Sequence, residues 1–236
     1  TRKESSAASD VYKRQLQNHD QTGNRAAGER LTVLAENTER LRAAVALQLL
    51  APQIPLIFMG EESGSRAPFL YFTSHTDPDL AQAVREGRQR EFSAFPGFED
   101  GGAHGVPDPN APATFSRSDP WQPGNDDDAQ RWRTLYEALL QLRQRVIAPR
   151  LQGARNVFGR AVGKHGVHAQ WRLGDGARLT LYANLGPVQE ALPPKYSAAG
   201  HLFSSLLFES RAGAFDALSL GSMCSESTVW LLEDAT

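Results

Sequence analysis

Two apolar patterns place this chain in the α/β class with an all-β region after it. Residues 31–51, LTVLAENTERLRAAVALQLLA, are rich in helix formers. They are followed by IPLIFMG, a continuous apolar run of strand length that ends at Gly60. A helix, a short loop and a run suited to burial on both faces make the rhythm of a parallel α/β fold. After Pro149 the period changes to two, first in VHAQWRL and then in RLTLYAN, which predicts antiparallel strands in a sandwich or barrel.

The elements follow in order. Residues 1–15 are polar and carry no convincing periodicity, and DVYKRQ does not look like a strand. In residues 31–51 the stripe Leu34, Ala35, Leu41, Ala44, Val45 and Leu49 has helical spacing, and Pro52 and Pro55 stop the helix. Ile54–Met59 is the buried strand. Residues 78–94 form an exposed helix started by Asp77-Pro78 and weakened by Gly87. Residues 96–127 read as one long loop. Residues 128–147 are a helix buried along Leu135, Leu139, Leu142 and Val146. The triplet Asp126, Asp127, Asp128 at its start suits N-capping and the helix dipole better than a metal. In the next region Val167, Ala169, Trp171 and Leu173 share the apolar side of a strand; HLFSSLLFES and STVWLLED add further strands.

Bulk properties exclude some partners. The chain has 236 residues, 40% apolar and 22% charged, with a net charge of −2, so no basic excess favours nucleic acid. With Cys224 as its single cysteine it has no intrachain disulfide. No apolar run reaches the roughly 18–20 residues of a membrane helix, and TRKESSAASD lacks the apolar core of a secretory signal. The expected location is the cytoplasm. No cofactor or metal is expected.

Common chemical signatures are missing. GxxxxGK[ST] does not occur, nor does GxGxxG after a strand, and GEESGS has Glu61 where a GxSxG elbow needs glycine. His165 and His168, three apart in an alternating stretch, point to opposite faces of a strand. His104 could gather with Asp100 and Asp108 on one loop, but nothing fixes their geometry. LQNHDQTGNR (residues 16–25) is the most informative stretch. A carboxylate beside an imidazole can stabilise an oxocarbenium-like sugar and hold its hydroxyls. Asn18 and Asp20 can equally form a turn before a helix. The residues alone leave both readings open.

LQNHDQTGNRA resembles the fourth signature region of the alpha-amylase family. PLIFMGEE, PFLYFTSH, AVREGRQREFSAF and VPDPNAPATFSRS narrow the resemblance to its maltooligosyltrehalose trehalohydrolases. It runs from Leu16 to about Arg150. It implies the C-terminal part of a (β/α)8 TIM barrel over residues 16–152, followed by an antiparallel β-sandwich over 153–236. Asn18–Asp20 would end the seventh barrel strand and Ile54–Met59 would be the eighth, with the site at the strands' C-terminal ends. The implied reaction is retaining hydrolysis of the α-1,4-glucosidic bond next to the terminal trehalose of maltooligosyltrehalose. Asp20 matches the transition-state stabiliser. His19, Asn18, Gln21, Arg25 and Glu61 match or neighbour substrate-binding positions; the expected partner is that α-glucan.

Two departures stand out. Ser63 replaces the tryptophan usual after GEE. The nucleophile and general acid of the family lie upstream of NHD, and Glu4 and Asp10 fall in no matching motif. Residues 1–15 are expected to be foreign, since DVYKRQ resembles a translated transposon adapter, and the chain is expected to be an inactive fragment. Other readings are a branching or debranching enzyme of the same family, or a noncatalytic carbohydrate binder using Trp171, Tyr182 and Trp230.

Overall fold

The computed structural model describes residues 13–93, 105–121, 126–193 and 204–235. Its residues divide into two compact units.

One unit comprises the described residues of 1–16, 37–56 and 135–236. Strand β1 (Lys13–Arg14) pairs in parallel with β2 (Ile54–Pro55), Lys13 against Ile54 and Arg14 against Pro55. This corrects two expectations. A strand does form in the polar DVYKRQ stretch, because ladder bonds use only the backbone: Leu56 N–H donates to the Arg14 carbonyl at 2.8 Å. The buried Gln48 side-chain amide reinforces it, donating to the Leu56 and Arg14 carbonyls at 2.8 and 3.3 Å. The apolar run after Pro52, in contrast, is neither a full strand nor buried on both faces. It is paired for two residues only, and Ile54, Leu56 and Met59 are exposed. Burial on both faces needs strands on either side and covering helices, and among the described residues one two-residue partner is paired with it.

The helix expected over 31–51 is two helices, α2 (Leu31–Leu34) and α3 (Thr38–Leu50). Ala35 and Asn37 are extended, and the Asn37 carboxamide oxygen caps α3 by accepting from Glu39 N–H at 2.8 Å. Val45 and Leu49 are buried as expected, while Leu34 is exposed. The C-terminus of α3 is closed by Arg143. Its guanidinium donates to the Leu49, Ala51 and Gln53 carbonyls at 2.9, 2.6 and 2.8 Å, satisfying groups that a helix end leaves free. Arg143 lies in a π-helical turn, Arg143–Ile147, that continues the helix Asp126–Leu142.

Residues 155–233 build a five-stranded antiparallel sheet in the order β3 (Arg155–Val162), β4 (Gly166–Arg172), β5 (Arg178–Asn184), β9 (Ser227–Glu233), β7 (Ser205–Glu209). Antiparallel pairing was legible in the alternation. Burial was less so: β5 is buried from Leu179 to Asn184, on both faces. Over one face lie α7 (Ala214–Ser219) and the two-residue pair β6 (Glu190–Ala191) with β8 (Ser222–Met223). Here Val162, Tyr182, Leu218, Met223, Val229 and Leu231 share one core. On the other face β9 packs against α3, and the Thr228 hydroxyl donates to the Ala43 carbonyl at 3.0 Å.

Individual expectations shift within this sheet. His165 sits in the turn between β3 and β4, so His165 and His168 do not share a strand. His168 is buried, stacked on Tyr182 at 4.1 Å with the Phe158 ring edge-on at 4.8 Å. Val167, placed on the apolar side by alternation, is exposed. Tyr182 and Trp230 are buried, and Trp171 stacks on Trp230 at 5.8 Å. A sugar platform built on these three aromatics is thereby contradicted; they are packing residues. Burial pushes the Tyr182 phenol up to about 12.

The second unit comprises residues 17–36 and the described residues of 57–134. It holds α1 (His19–Gly23), α2, a 3-10 turn Glu61–Ser63, α4 (Pro78–Phe92), α5 (Pro112–Arg117) and the start of α6 (Asp126–Leu142). Helix α4 starts as expected, with the Asp77 carboxylate accepting from Asp79 and Leu80 N–H. The stretch 96–127 is not one loop, because α5 lies within it. Pro112 opens α5, and the Thr114 hydroxyl anchors it to the Asp108 carbonyl at 2.6 Å. Asp108 pairs with Arg85 at 2.9 Å; Asp100 and His104, its suggested companions, lie outside the described residues. The acidic triplet forms the first turn of α6, and Asp128 pairs with Arg131 at 3.3 Å. No helix among the described residues is long and apolar enough to cross a membrane.

Candidate active site

The stretch Asn18–Asp20 opens a short helix and does not end a regular strand. Asn18 is the N-cap of α1: its backbone is extended and its Oδ1 accepts from Gln21 N–H at 2.7 Å. Capping satisfies one orphan donor of the helix, and it sets the direction in which the next two side chains leave. His19 Nε2 and Asp20 Oδ1 then lie 3.2 Å apart, with side chains 69% and 72% exposed. Gln21 is also exposed. Arg25 reaches forward along the chain, its Nη1 donating to the Glu29 carbonyl at 2.7 Å, which holds the turn after α1.

The other predicted site residue, Glu61, has the opposite environment. It is 6% exposed. Its Oε2 accepts from Phe58 N–H at 3.0 Å. Burial pushes its carboxyl from 4.5 up to about 7, against the opposing pull of the Phe58 N–H, the Gln17 side chain and the Arg30 guanidinium. Arg30 is 1% exposed. It donates to the Ala67 carbonyl at 2.6 Å and the Met59 carbonyl at 2.7 Å, and lies over the Phe58 ring. Burial lowers its pKa, while Glu61 and Glu62 act to raise it.

Glycines make this turn possible. Gly60 and Gly64 both have positive φ, 86° and 61°. A β-carbon on Gly64 would stand 2.0 Å from Trp132 Cδ1, so the indole packs directly on the bare backbone. Ser63, at the position usually held by tryptophan, is buried with its hydroxyl on the Gly60 carbonyl at 3.2 Å.

Several supporting residues were not singled out from the sequence. Gln17 is buried, and its Oε1 accepts from Leu31 N–H at 3.0 Å, tying the entry of α1 to α2. Phe69 packs edge-on against Phe58 at 5.1 Å and lies beside Gly23 at the end of α1. Arg88 donates to the Gly23 carbonyl at 3.1 Å while lying over the Tyr71 and Phe92 rings. Arg30 and Arg88 carry no sequence signal that separates them from surface arginines. A charged residue at the centre of a polar stretch is more often solvated. Among the described residues no group of three His, Cys, Asp or Glu could hold a metal ion.

The geometry leaves an exposed carboxylate–imidazole pair on a capped turn that is held from below by a buried, arginine-centred scaffold. Such a pair can accept from and donate to hydroxyl groups of a ligand. Comparison with known proteins narrows the chemistry. A family described as a domain of unknown function (DUF3459) matches residues 155–220. The crystal structure of a Salmonella typhimurium protein classed as an alpha amylase superposes with a TM-score of 0.73 at 36% identity, over 94% of this chain and 35% of that one. A trehalulose synthase shares the fold alone, with a TM-score of 0.53 at 16% identity. Relatives named malto-oligosyltrehalose trehalohydrolase come from Brevibacterium helvolum (43% identity) and a Rhizobium species (44%), each over 129 residues, 54% of this chain and 21% of the relative. A third, from Saccharolobus solfataricus, is 43% identical over 55% of this chain. The resemblance read from LQNHDQTGNRA and the segments after it is borne out: the curated homologues of this chain are malto-oligosyltrehalose trehalohydrolases, and it spans about a fifth of their length.

Proposed function

We propose that this chain is part of a retaining glycoside hydrolase that releases trehalose by cleaving the α-1,4-glucosidic bond next to the terminal trehalose of maltooligosyltrehalose. The observation that carries the reading is the His19–Asp20 pair, 3.2 Å apart and open to a ligand, within a chain whose relatives bear that enzyme's name. Asp20 accepts hydrogen bonds from sugar hydroxyls and, as a fixed anion, stabilises the positive charge that develops at the anomeric carbon. His19 donates to a hydroxyl of the same ring. Asn18 sets their direction through its cap, and Gln21 and Arg25 border the same turn. Glu61 buttresses the site from inside, because its carboxyl is enclosed and already accepts from Phe58 N–H.

Retaining hydrolysis also requires a nucleophilic carboxylate and a general acid. We assign both to residues outside these 236, and the protein's compartment to the cytoplasm. Incubation of the purified 236-residue chain with maltooligosyltrehalose is therefore expected to yield no trehalose, whereas the protein carrying a whole barrel releases it. In that protein Asp20→Asn lowers kcat by about 10²–10³, the cost of losing one transition-state contact. Trehalose release by the 236-residue chain alone would overturn the division of labour; unchanged kcat in the variant would overturn the role of Asp20. The likeness to an alpha amylase supports a second reading, a related glucan-processing enzyme. Products distinguish the two: trehalose on one reading, shortened or branched glucan on the other.

A further inference from the structure

The five-stranded sheet carries, at one end, a charge arrangement that glycoside hydrolysis does not use. Arg155, Arg172 and Arg178 stand directly opposite one another across β3, β4 and β5. Directly opposed residues share a face of the sheet, and like charges in such pairs are destabilising. The neighbouring acids do not relieve them equally. Glu233, opposite Arg178 on β9, pairs with Arg178 at 3.5 Å. Arg150 engages Asp175 at 2.7 Å and Asp234 at 3.6 Å. The Ala177 N–H and the Arg150 guanidinium hold the Asp175 carboxyl below the usual carboxylate range. Arg155 and Arg172 are left exposed, with no ion pair among the described residues.

Both arginines line a cleft of about 310 Å³, together with Gly153, Leu173, Gly174, Asp175 and Gly176; the Asp175 carboxylate there is already engaged by Arg150. Gly153 and Gly176 have φ of 81° and 93°, values that favour glycine, so the walls of the cleft stay free of side chains there. A smaller hollow of about 180 Å³ continues past Arg172 and is lined by Arg178, Glu233 and Asp234, the two acids being paired with Arg178 and Arg150. Two arginines lining one concave, glycine-bordered space can supply the bidentate hydrogen bonding that a tetrahedral oxyanion takes. The volume exceeds what a bare anion fills and lies at the small end of ligand pockets.

We propose that this cleft binds a phosphoryl group carried on a small phosphate ester, with Arg155 and Arg172 as its two forks. A bound dianion would relieve the repulsion between the opposed arginines, so binding stabilises the fold. The test uses the 236-residue chain in thermal unfolding and calorimetric titration. The probes are glucose 1-phosphate and inorganic phosphate, each compared with potassium chloride at equal ionic strength. Both phosphates are expected to raise the unfolding midpoint above that in chloride, and the ester to bind more tightly than inorganic phosphate. Arg155→Gln and Arg172→Gln weaken binding by about tenfold or more, without lowering the midpoint in chloride, since each removes a repelled charge. Arg131→Gln, in the other unit, leaves binding unchanged. Arg172→Lys keeps the charge and loses the fork, and serves if the glutamine variants fail to fold. An equal rise in chloride, or full phosphate affinity in the arginine variants, would overturn the site. Equal affinity for ester and inorganic phosphate would overturn the ester as its ligand.

Discussion

Asp20 and Glu61 were singled out from neighbouring signature segments, yet they occupy opposite environments. Asp20 is 72% exposed, beside His19, on a five-residue helix held by one side-chain cap. Glu61 is 6% exposed, in a turn framed by two positive-φ glycines and faced by a buried arginine. The contrast separates two tasks. A group proposed to meet a ligand stays solvated, with few ties to the protein. A group that must hold a turn is enclosed, and its ionisation is suppressed by that enclosure.

The comparison can be broken most sharply at Gly64. Gly64→Ala places a methyl group against the Trp132 indole in a left-handed backbone, and is expected to cost about 3–5 kcal/mol by combining backbone strain with overpacking. Urea unfolding of the variant measures it; a loss under 1 kcal/mol would mean that the turn around Glu61 is not tightly constrained.

Glu61→Gln comes next, and its effect depends on pH. The folded chain holds the Glu61 proton up to about 7, whereas the unfolded chain releases it near 4.5. Between these values the folded state binds more protons, so stability falls as pH rises. The contribution is fully present below 4.5 and is lost by the time pH passes 7, on the order of 3 kcal/mol in all. Glu61→Gln removes this slope. Denaturant unfolding at pH 5 and pH 8 should show wild type losing stability across the interval and the variant losing much less; parallel losses would refute the enclosed, protonated carboxyl.

Gly87→Ala offers a calibration within the same unit. Gly87 lies inside α4, and a β-carbon there would meet nothing within 4 Å. The substitution is expected to stabilise the chain by about 0.5–1 kcal/mol, the ordinary helix preference for alanine. A destabilised variant in thermal unfolding would reveal a close neighbour at that position. The smallest expected effect is Asp20→Asn on stability, within about 0.5 kcal/mol, as for other solvated surface positions. A larger loss in the same unfolding assay would make Asp20 part of the scaffold and erase its contrast with Glu61.

How far these differences were legible depends on what each element needs. The helix Pro78–Phe92 was readable because its start is local: the Asp77 carboxylate accepts from the N–H groups of Asp79 and Leu80, two and three residues on. The antiparallel strands were readable because VHAQWRL and RLTLYAN carry a period of two. The strand Lys13–Arg14 was not, since its pairing uses backbone groups and a glutamine from α3. The break between α2 and α3 was missed because AENTE is compatible with helix, and Asn37 acts as a cap only once the chain turns there. In the site, NHDQ was visible as a motif, while Arg30, Arg88 and Gln17 were invisible, because nothing local separates a buried arginine or glutamine from a solvated one.

By itself the sequence determined the antiparallel strand pattern, the capped start of α4 and the kinship carried by LQNHDQTGNRA and the segments after it. Each rests on neighbours along the chain, where periodicity, capping side chains and residue order act over a few positions. Only the tertiary structure decided that Ile54, Leu56 and Met59 are exposed, that Trp230 and Tyr182 are core, that Glu61 is enclosed while Asp20 is open, and that three arginines line up across the sheet. Burial, pKa and cross-strand charge depend on which distant residues arrive beside a group, and that is settled by packing.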